Sequence, residues 1–358
     1  MKNGEEVWES IIIGTGPAGL TAAIYQIRAS VKTLIISGNQ PGGQLTITTT
    51  VENFPGFANG VGGVKLMMEM LSQVKNLGGV IKNGIVLKIN QNKTSGNFEI
   101  ELEGGERLES KSVIVATGAS AKWLGLEKER GLVGKGISGC ATCDGTLFRG
   151  KTVAIVGGGN TACEEAVFLA KITKKVYMIH RRDRFRAGPT EQKRVLDCPN
   201  IEIWWDSEVV EINPKFEILP PKADCVFSQN LSLDSKFRAK ETKNSKESQN
   251  SKDQDSNEIL KSVMIKNNKT AEEKILELEG LFVAIGRTPA TGFVKDLVEL
   301  GSEGHIVVCK NPALPTMSSM EGLFAAGDCA DDSYRQAIVA AGDGAKAAMD
   351  SQRWFGGR

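Results

Sequence analysis

Two glycine-rich turns constrain the fold of this chain more than any other feature. The first, residues 14–19, reads GTGPAG and follows the apolar run at residues 11–13. The second, residues 157–162, reads GGGNTA and follows the apolar run at residues 153–156. Both runs are short and apolar, which is typical of buried parallel strands. The two turns therefore predict two Rossmann-like dinucleotide-binding units.

Such a turn binds a diphosphate because the first N–H groups of the following helix, and the helix dipole, face the anion. The motif alone is weak evidence, but each copy lies between a strand and a helix, and a further strand is expected at residues 31–36 and at 175–179. The candidate contacts of the first turn are Gly14, Thr15, Gly16, Pro17, Ala18 and Gly19. Those of the second turn are Gly157, Gly159, Asn160, Thr161 and Ala162.

The segments after the second strand of each unit differ in charge. An acidic residue usually binds the ribose there, but residues 37–40 read SGNQ, so Asn39 or Gln40 is expected to make a weaker neutral contact. Residues 180–186 read HRRDRFR, and arginines at this place suit a 2′-phosphate. Two charge-assisted pairs of about 1.5–3 kcal/mol each would favour NADPH over NADH by about two to four powers of ten. A solvated basic turn is the alternative. The candidate NADPH contacts are His180, Arg181, Arg182 and Arg186.

A close cysteine pair, Cys140 and Cys143, lies ahead of the second turn and is followed by Asp144. We interpret the pair as a redox-active dithiol. The spacing alone is weak evidence for a redox role, and zinc binding is the obvious alternative role for the two cysteines. A structural zinc site needs four nitrogen or sulfur ligands; no second close pair follows and the chain has 2 histidines, so we expect no metal. The other five of the 7 cysteines stand alone: Cys163, Cys198, Cys225, Cys309 and Cys329.

Length and charge narrow the classes of protein. A chain of 358 residues suits two domains, each with its own core. The net charge of +1 gives no general attraction to nucleic acid or to an anionic membrane. The first ten residues lack the basic and apolar segments of a signal peptide, and no apolar run approaches the roughly 20 residues of a membrane span. We therefore expect a cytoplasmic protein that binds neither nucleic acid nor membrane.

The composition changes between about residues 213 and 274, where residues 228–257 are dominated by Ser, Lys, Asn, Asp and Gln. Such a segment cannot bury enough apolar surface to offset the entropy of ordering it. We predict a disordered or poorly packed insertion in a hairpin of the second domain. A tolerated surface insertion is favoured over a docking role.

The chain closely resembles the low-molecular-weight thioredoxin reductases over nearly its whole length, except for the polar insertion. The two turns, the cysteine pair with Asp144 and the arginine segment all carry the resemblance. Further matching stretches are residues 42–45 (GGQL), 52–56 (ENFPG), 116–119 (ATGA), 325–328 (AAGD) and 334–337 (YRQA).

The resemblance implies an α/β fold of two Rossmann-like domains, the second inserted in the first. Residues 1–121 and 286–358 would form the FAD-binding domain. Residues 122–285 would form the NADPH-binding domain that carries the dithiol. The segments 116–119 and 286–289 look like the crossing points, where glycine gives the backbone freedom that a hinge needs. The family also implies thioredoxin as the partner, a homodimer, and rotation of the inserted domain.

The resemblance also implies flavin contacts outside the first turn. Asp328 would hold the ribityl chain, although an Asp after Gly can also cap a helix. Residues 335–337 would lie beside the isoalloxazine. The implied FAD contacts are Gly43, Gln44, Asn53, Ile85, Ala116, Thr117, Gly118, Cys143, Gly327, Asp328, Arg335, Gln336 and Ala337.

In the implied reaction, NADPH reduces FAD, FAD reduces the Cys140–Cys143 disulfide, and the dithiol reduces thioredoxin. Cys143 is expected nearest the flavin and Cys140 is expected to attack the partner. Asp144 would exchange protons, for which burial must raise its pKa, unless it only caps the next helix. A flavin-dependent dithiol oxidase would usually lack the arginines, and a ferredoxin-type NADP reductase would not need the cysteines. A non-catalytic cofactor sensor is the remaining alternative.

Overall fold

The structure is a computed structural model that describes residues 7–48, 50–216 and 258–357. The chain divides into two compact units, one formed by Met1–Lys122 with Gly286–Arg358 and the other by Trp123–Ile285. Each unit contains a largely parallel sheet with helices, which confirms the predicted α/β class. The predicted polar insertion, residues 228–257, lies outside the described residues.

The described elements include 17 strands and 6 α-helices. The strands are β1 (Val7–Ile13), β2 (Thr33–Ile36), β3 (Val80–Lys82), β4 (Val86–Gln91), β5 (Phe98–Leu102), β6 (Arg107–Val115), β7 (Ala119–Ala121), β8 (Ile137–Ser138), β9 (Thr152–Val156), β10 (Lys175–Ile179), β11 (Ile201–Trp204), β12 (Ser207–Phe216), β13 (Glu258–Asn267), β14 (Glu273–Glu277), β15 (Gly280–Val283), β16 (Arg287–Pro289) and β17 (Leu323–Ala325). The helices are α1 (Pro17–Arg28), α2 (Gly63–Asn76), α3 (Ala141–Asp144), α4 (Asn160–Ile172), α5 (Pro189–Leu196) and α6 (Ala337–Gly356).

The first unit is organised by a 7-stranded sheet in the order β3-β2-β1-β6-β5-β4, with β17 beside the end of β6. The strands β3, β2, β1, β6 and β17 are parallel, whereas β5 and β4 continue the sheet antiparallel. Ile12 packs on one face with α1, α2 and α6, and its neighbours Ile11 and Ile13 pack on the other. This two-sided burial explains why the β1 sequence is apolar rather than alternating.

The parallel register brings distant parts of the first unit to one edge of the sheet. Ile13 at the end of β1 lies opposite Val115 at the end of β6, and Val115 lies opposite Ala325 at the end of β17. The residues that follow these three strands are therefore neighbours. Ligands of open parallel sheets bind beyond the carboxyl ends of the strands, where the strand order reverses.

The second unit combines a 5-stranded parallel sheet with a 3-stranded antiparallel sheet. The parallel sheet has the order β11-β10-β9-β15-β8, and the antiparallel sheet has the order β12-β13-β14. The central strand β9 ends at Val156, opposite Ile179 of β10 and Val283 of β15. The second glycine-rich turn thus starts at the middle of this sheet.

A short antiparallel ribbon joins β7 to β16, and Ser120 pairs with Thr288 within it. Both strands belong to the first unit. In the part of the chain that the structure describes, no helix is both long and apolar enough to cross a bilayer.

Candidate active site

The cysteine pair forms a disulfide within one tight helical turn of the second unit. Cys140 and Cys143 are bonded to each other, and their Cα atoms are 5.4 Å apart. Cys140 precedes α3, and both cysteines are partly exposed. The Thr142 hydroxyl lies 3.4 Å from the Sγ atom of Cys140. The structure therefore brings together the two sulfur atoms that the sequence predicted to act as a pair.

The other described cysteines have a different environment. Cys163 and Cys329 are fully buried, and burial raises the pKa of each thiol to about 11. A thiol with such a pKa stays protonated at neutral pH and is a poor nucleophile. Cys198 is half-buried and Cys309 is exposed, and both are free thiols. Among the described residues, Cys140 and Cys143 are the pair joined by a disulfide.

Asp144 closes the same turn and is held by a residue that sequence reasoning missed. The Ser138 hydroxyl donates a hydrogen bond of 2.6 Å to Oδ2 of Asp144 and accepts one of 3.0 Å from the N–H of Cys140. Burial raises the pKa of Asp144, and the hydrogen bond from Ser138 opposes that rise. No short motif marks such a serine, because its role depends on how β8 meets the α3 turn.

The second glycine-rich turn has the close packing of a dinucleotide-binding turn. An added Cβ on Gly157 would lie 2.5 Å from the Ala284 carbonyl oxygen, whereas one on Gly159 would meet no atom within 4 Å. Gly159 is the N-cap residue of α4, and no side chain caps this helix. The first glycine therefore closes the turn, and the backbone of Gly159 is open to an approaching anion.

The arginine segment folds back onto this turn. The carbonyl oxygen of Gly158 accepts hydrogen bonds from the N–H groups of Arg186 and Ala187, at 2.7 and 3.2 Å. The side chains of Arg181, Arg182 and Arg186 are exposed, and none of them forms an ion pair with the described residues. The Asn160 side chain accepts a hydrogen bond of 2.9 Å from the N–H of Gly188, which ties the far end of the segment to α4.

His180, a predicted NADPH contact, lies beneath this segment. Its ring is buried, and Nε2 donates a hydrogen bond of 3.0 Å to the carbonyl oxygen of Arg184. Burial lowers the pKa of His180, and the positive charges of Arg182 and Arg186 lower it further. An added Cβ on Gly158 would lie 2.3 Å from this ring. The imidazole therefore supports the segment as a neutral group, and its contact with NADPH stays a prediction.

The first glycine-rich turn repeats this arrangement in the first unit. An added Cβ on Gly14, whose φ is +115°, would lie 2.2 Å from the carbonyl oxygen of Ala116. One on Gly19 would lie 1.9 Å from the carbonyl oxygen of Gly14, and one on Gly16 would meet no atom within 4 Å. These are the three glycine roles of a dinucleotide-binding turn: tight turning, helix packing and open access for a diphosphate. The residues present therefore fit a bound dinucleotide.

The loop after β2 packs against the first turn. The Thr15 hydroxyl donates to the carbonyl oxygen of Ser37 at 3.1 Å and accepts from the N–H of Gly42 at 3.1 Å. An added Cβ on Gly43 would lie 3.3 Å from the Cα atom of Gly16. Gln40 uses its amide within this loop, donating 3.1 Å hydrogen bonds to Gly43 and Thr46. Of the two residues proposed to contact the ribose, Gln40 therefore already uses its side-chain amide in hydrogen bonds within the loop, which favours Asn39 for the ribose contact.

Asp328 joins this site from the far end of the chain. It follows Gly327, on which an added Cβ would lie 3.0 Å from the Cβ of Ala18 in α1. Burial raises the pKa of Asp328, and Arg287, whose Nη1 lies 3.8 Å from Oδ2, opposes the rise. Arg287 was not a predicted site residue. It follows the glycine of the second crossing segment, which was the one signal available in the sequence.

Other predicted flavin residues lie around the start of α6 and near the loop that follows β2. Gln44 donates a hydrogen bond to the carbonyl oxygen of Ala119, and the amide of Asn53 donates one of 3.0 Å to Gln336. Gln336 precedes α6 as its N-cap residue, and Arg335 before it has a φ of +51°, which is strained for a side chain of this kind. Ile85 is exposed and follows Gly84, whose carbonyl oxygen accepts the N–H of Gly38 at 3.1 Å.

The remaining segment, residues 116–118, follows β6 at the same edge as the first turn. The Thr117 hydroxyl donates 2.7 Å to the carbonyl oxygen of Ala290. Together these contacts bring one group of predicted flavin residues to the carboxyl edge of the first sheet: Gly14, Gly16, Gly43, Ala116, Gly327 and Asp328.

Comparisons with known proteins agree with this geometry. Residues 8–344 match the sequence profile of the family described as "Pyridine nucleotide-disulphide oxidoreductase". A thioredoxin reductase of Rickettsia conorii is 39% identical over 345 residues, which cover 96% of this chain and 97% of that protein. A bifunctional thioredoxin reductase/thioredoxin of Mycobacterium leprae is 35% identical, over 98% of this chain and 66% of that protein. The solved thioredoxin reductase of Giardia duodenalis has a TM-score of 0.81 and 36% identity, with 98% of this chain and 100% of that chain covered.

Proposed function

The chain belongs to the pyridine nucleotide-disulphide oxidoreductase family, and from that premise we propose that it is an NADPH-dependent, FAD-containing thioredoxin-disulfide reductase. One observation carries the proposal. A disulfide and a partly buried carboxylate share a turn in the unit whose glycine-rich turn is followed by exposed arginines without ion pairs among the described residues. Names and full-length similarity of the relatives agree with it. Its cellular role would be the maintenance of thiol redox balance.

The two glycine-rich turns divide the cofactors between the proposed domains. Residues 1–121 and 286–358 would bind FAD through the first turn and Asp328. Residues 122–285 would bind NADPH through the second turn, and the arginines would bind its 2′-phosphate. When bound, NADPH supplies a hydride and FAD delivers the electron pair to sulfur. The chain's own residues orient these groups and carry out the thiol chemistry.

The thiol chemistry balances as an exchange of two electrons and two protons. The Cys140–Cys143 bond accepts two electrons and breaks, giving two thiols. The thiolate of Cys140 then attacks the disulfide of thioredoxin, and a mixed disulfide forms as one thioredoxin sulfur leaves. The thiolate of Cys143 attacks the Sγ atom of Cys140, which restores the internal disulfide and releases reduced thioredoxin. The reduction consumes one S–S bond, and each of the two exchange steps that follow breaks one S–S bond as another forms.

Asp144 is the proposed proton carrier of this exchange. The attacking sulfur must lose a proton and the leaving sulfur must gain one, so a group that titrates nearer neutrality is required. Burial of Asp144 moves its pKa in that direction. Its position at the end of the α3 turn places it in the same short segment as both sulfur atoms.

Two observations favour this function over the related activities. The internal disulfide has no use in a ferredoxin-type NADP reductase. The arginine segment, which folds against the second turn, has no use in a dithiol oxidase that does not consume NADPH. The fusion of reductase and thioredoxin named in the Mycobacterium leprae relative supports thioredoxin as the partner. By the same resemblance we propose a cytoplasmic homodimer.

An anaerobic titration of the purified yellow protein with NADPH tests the proposal. The wild-type protein is expected to take up two NADPH per flavin, because both the flavin and the disulfide become reduced. Cys143→Ser removes the disulfide and should lower this to one NADPH per flavin. Cys198→Ser changes an unpaired cysteine of the same unit and should leave the value at two.

A coupled assay with thioredoxin and a disulfide reporter completes the test. Reporter reduction should require NADPH, thioredoxin and both cysteines of the pair. Reduction that proceeds equally without thioredoxin, or a preparation that cannot be reconstituted with flavin, would contradict the proposed function.

A further inference from the structure

We propose that Ser138 is the positioning residue of the dithiol centre, whose hydroxyl holds Asp144 against the Cys140 backbone in both protonation states of the carboxyl group. This inference rests on the proposed thiol–disulfide chemistry and assigns a role within it. It concerns a residue that belongs to neither glycine-rich turn and to neither cysteine position.

The geometry links three groups through one oxygen atom. The Ser138 side chain is buried, with 4% of its surface exposed. Its Oγ atom lies 2.6 Å from Oδ2 of Asp144, 3.0 Å from the backbone nitrogen of Cys140 and 3.3 Å from the carbonyl oxygen of Cys140. The carboxyl group and the backbone of the attacking cysteine are therefore fixed to the same buried hydroxyl.

A serine hydroxyl has one proton to donate and two lone pairs that accept. When Asp144 is ionised, the hydroxyl donates to the carboxylate and accepts from the N–H of Cys140. When Asp144 is protonated, Ser138 accepts from the carboxyl O–H and turns its own proton to the carbonyl oxygen of Cys140. Each state is satisfied without movement of the backbone. A proton can thus enter and leave Asp144 while the turn keeps its geometry.

After burial, the hydrogen bond from Ser138 is the largest influence on the pKa of Asp144, and the charged residues of α4, Glu164, Glu165 and Lys171, are not among the causes of its shift. The next residue, Gly145, faces Phe168, Leu169 and Ile172 of α4, none of which ionises. The turn that follows, Gly145–Phe148, has no ionisable side chain, and neither does β15, which pairs with β8 at Ser138. The ionisable groups that share the α3 turn with Asp144 are the thiols of Cys140 and Cys143 after reduction.

The test is the pH dependence of thiol–disulfide exchange in the pre-reduced holoenzyme, measured by stopped flow with a small aromatic disulfide. Ser138→Ala removes the hydrogen bond that stabilises the carboxylate, so the limb of the profile set by Asp144 should move to higher pH. The exchange rate at neutral pH should fall about ten- to hundredfold, as expected for the loss of one hydrogen bond to a charged group. Ser138→Thr keeps a hydroxyl and should restore both the rate and the profile.

Two further variants separate positioning from a general structural effect. Thr173→Val removes another buried hydroxyl of the same unit, one that donates 2.8 Å to the carbonyl oxygen of Leu169. It should leave the pH profile unchanged. Asp144→Asn should abolish the limb, and adding Ser138→Ala to it should slow exchange little further, because the serine acts through the carboxyl group.

The proposal is overturned if the profile of Ser138→Ala coincides with that of the wild type, or if the losses of the two single variants multiply in the double variant. If Ser138→Ala does not fold, infrared spectroscopy of the wild type and of Asp144→Asn still tests the proposal, because neither protein is changed at Ser138. The infrared carboxyl band that disappears in Asp144→Asn should have the frequency of a hydrogen-bonded acid, and a free-acid frequency would refute the link. A wild-type protein that reacts with the small disulfide but not with thioredoxin would overturn the proposed function alone.

Discussion

The first glycine-rich turn, residues 14–19, and the second, residues 157–162, have the same construction. In each, the first glycine N–H donates to the last residue of the neighbouring strand: Gly14 to Ile36 at 2.8 Å and Gly157 to Ile179 at 3.1 Å. In each, a Cβ on that glycine would lie within about 2.5 Å of a carbonyl oxygen just after a neighbouring strand, that of Ala116 after β6 or that of Ala284 after β15. The first glycine of each turn therefore makes the same backbone hydrogen bond and the same close backbone contact.

The charged groups around the two turns come from different distances along the chain. Beside the second turn, the arginines follow the next strand, β10, and the backbone N–H of Arg186 donates to the carbonyl oxygen of Gly158. Beside the first turn, the corresponding loop is neutral, and the carboxylate is supplied by Asp328, which β17 carries to the sheet edge. The charged side chains near the second turn thus come from an adjacent segment, whereas the carboxylate near the first turn comes from the other end of the first unit.

The largest expected effect is the loss of stability when a side chain is added at the first glycine of a turn. Gly14→Ala should lower the free energy of unfolding by about 2–5 kcal/mol, since the added Cβ meets the Ala116 carbonyl and φ is positive. Gly16→Ala, which meets no atom, should leave stability nearly unchanged yet weaken flavin binding. Denaturant unfolding and the flavin-to-protein absorbance ratio measure the two effects. Equal stability of the two variants would contradict the packing role of Gly14.

The next effect concerns the local site. Replacing Arg181 and Arg186 together by Gln should reduce the preference for NADPH over NADH by about two to four powers of ten, through loss of two charge-assisted pairs. The ratio of kcat/KM for the two nucleotides is the measurement. Arg184→Gln alters an exposed arginine of the same segment outside the predicted set and should keep the preference. A double variant that prefers NADPH as strongly as the wild type would show that the segment is only a solvated surface.

A smaller effect is expected at the assembled site. Asp328→Asn should weaken FAD binding about ten- to hundredfold, because a hydrogen bond to a charged group becomes a neutral one. The dissociation constant follows from fluorescence on reconstitution of the flavin-free protein. Asp332→Asn, at an exposed position nearby, is the matched control. If both variants bind FAD as tightly as the wild type, the carboxylate of Asp328 does not contribute to FAD binding.

The smallest effect is a pH dependence of stability at Asp328. Its folded pKa is raised by burial above the ordinary value of 3.8, so the folded state binds a proton more readily than the unfolded state. Stability should therefore fall as pH rises from the ordinary pKa through the raised folded pKa, and the loss persists above it. Asp328→Asn should remove this component from the unfolding free energy of the flavin-free protein. An identical pH dependence in both proteins would contradict the burial of an ionising carboxyl group.

The local features of the molecule were determined by the sequence. Each glycine-rich turn lies within a continuous strand–turn–helix segment, so its glycine spacing and apolar flanks suffice to predict the α/β class. The arginine segment follows its turn by one helix and one strand, and could be read in the same way. The Cys140–Cys143 pair was visible for the same reason, since the spacing itself limits the distance between the two sulfur atoms.

Only the tertiary structure decided which individual side chains meet. Ser138 contacts Asp144 because β8 ends where the α3 turn begins, and a single buried hydroxyl leaves no pattern in the chain. Arg287 in β16 and Asp328 after β17 are far apart in sequence and meet within the first unit, to which the chain returns at Gly286. The physical reason is that hydrogen bonds and ion pairs depend on distances of a few ångströms, which strand register and packing fix and local sequence does not.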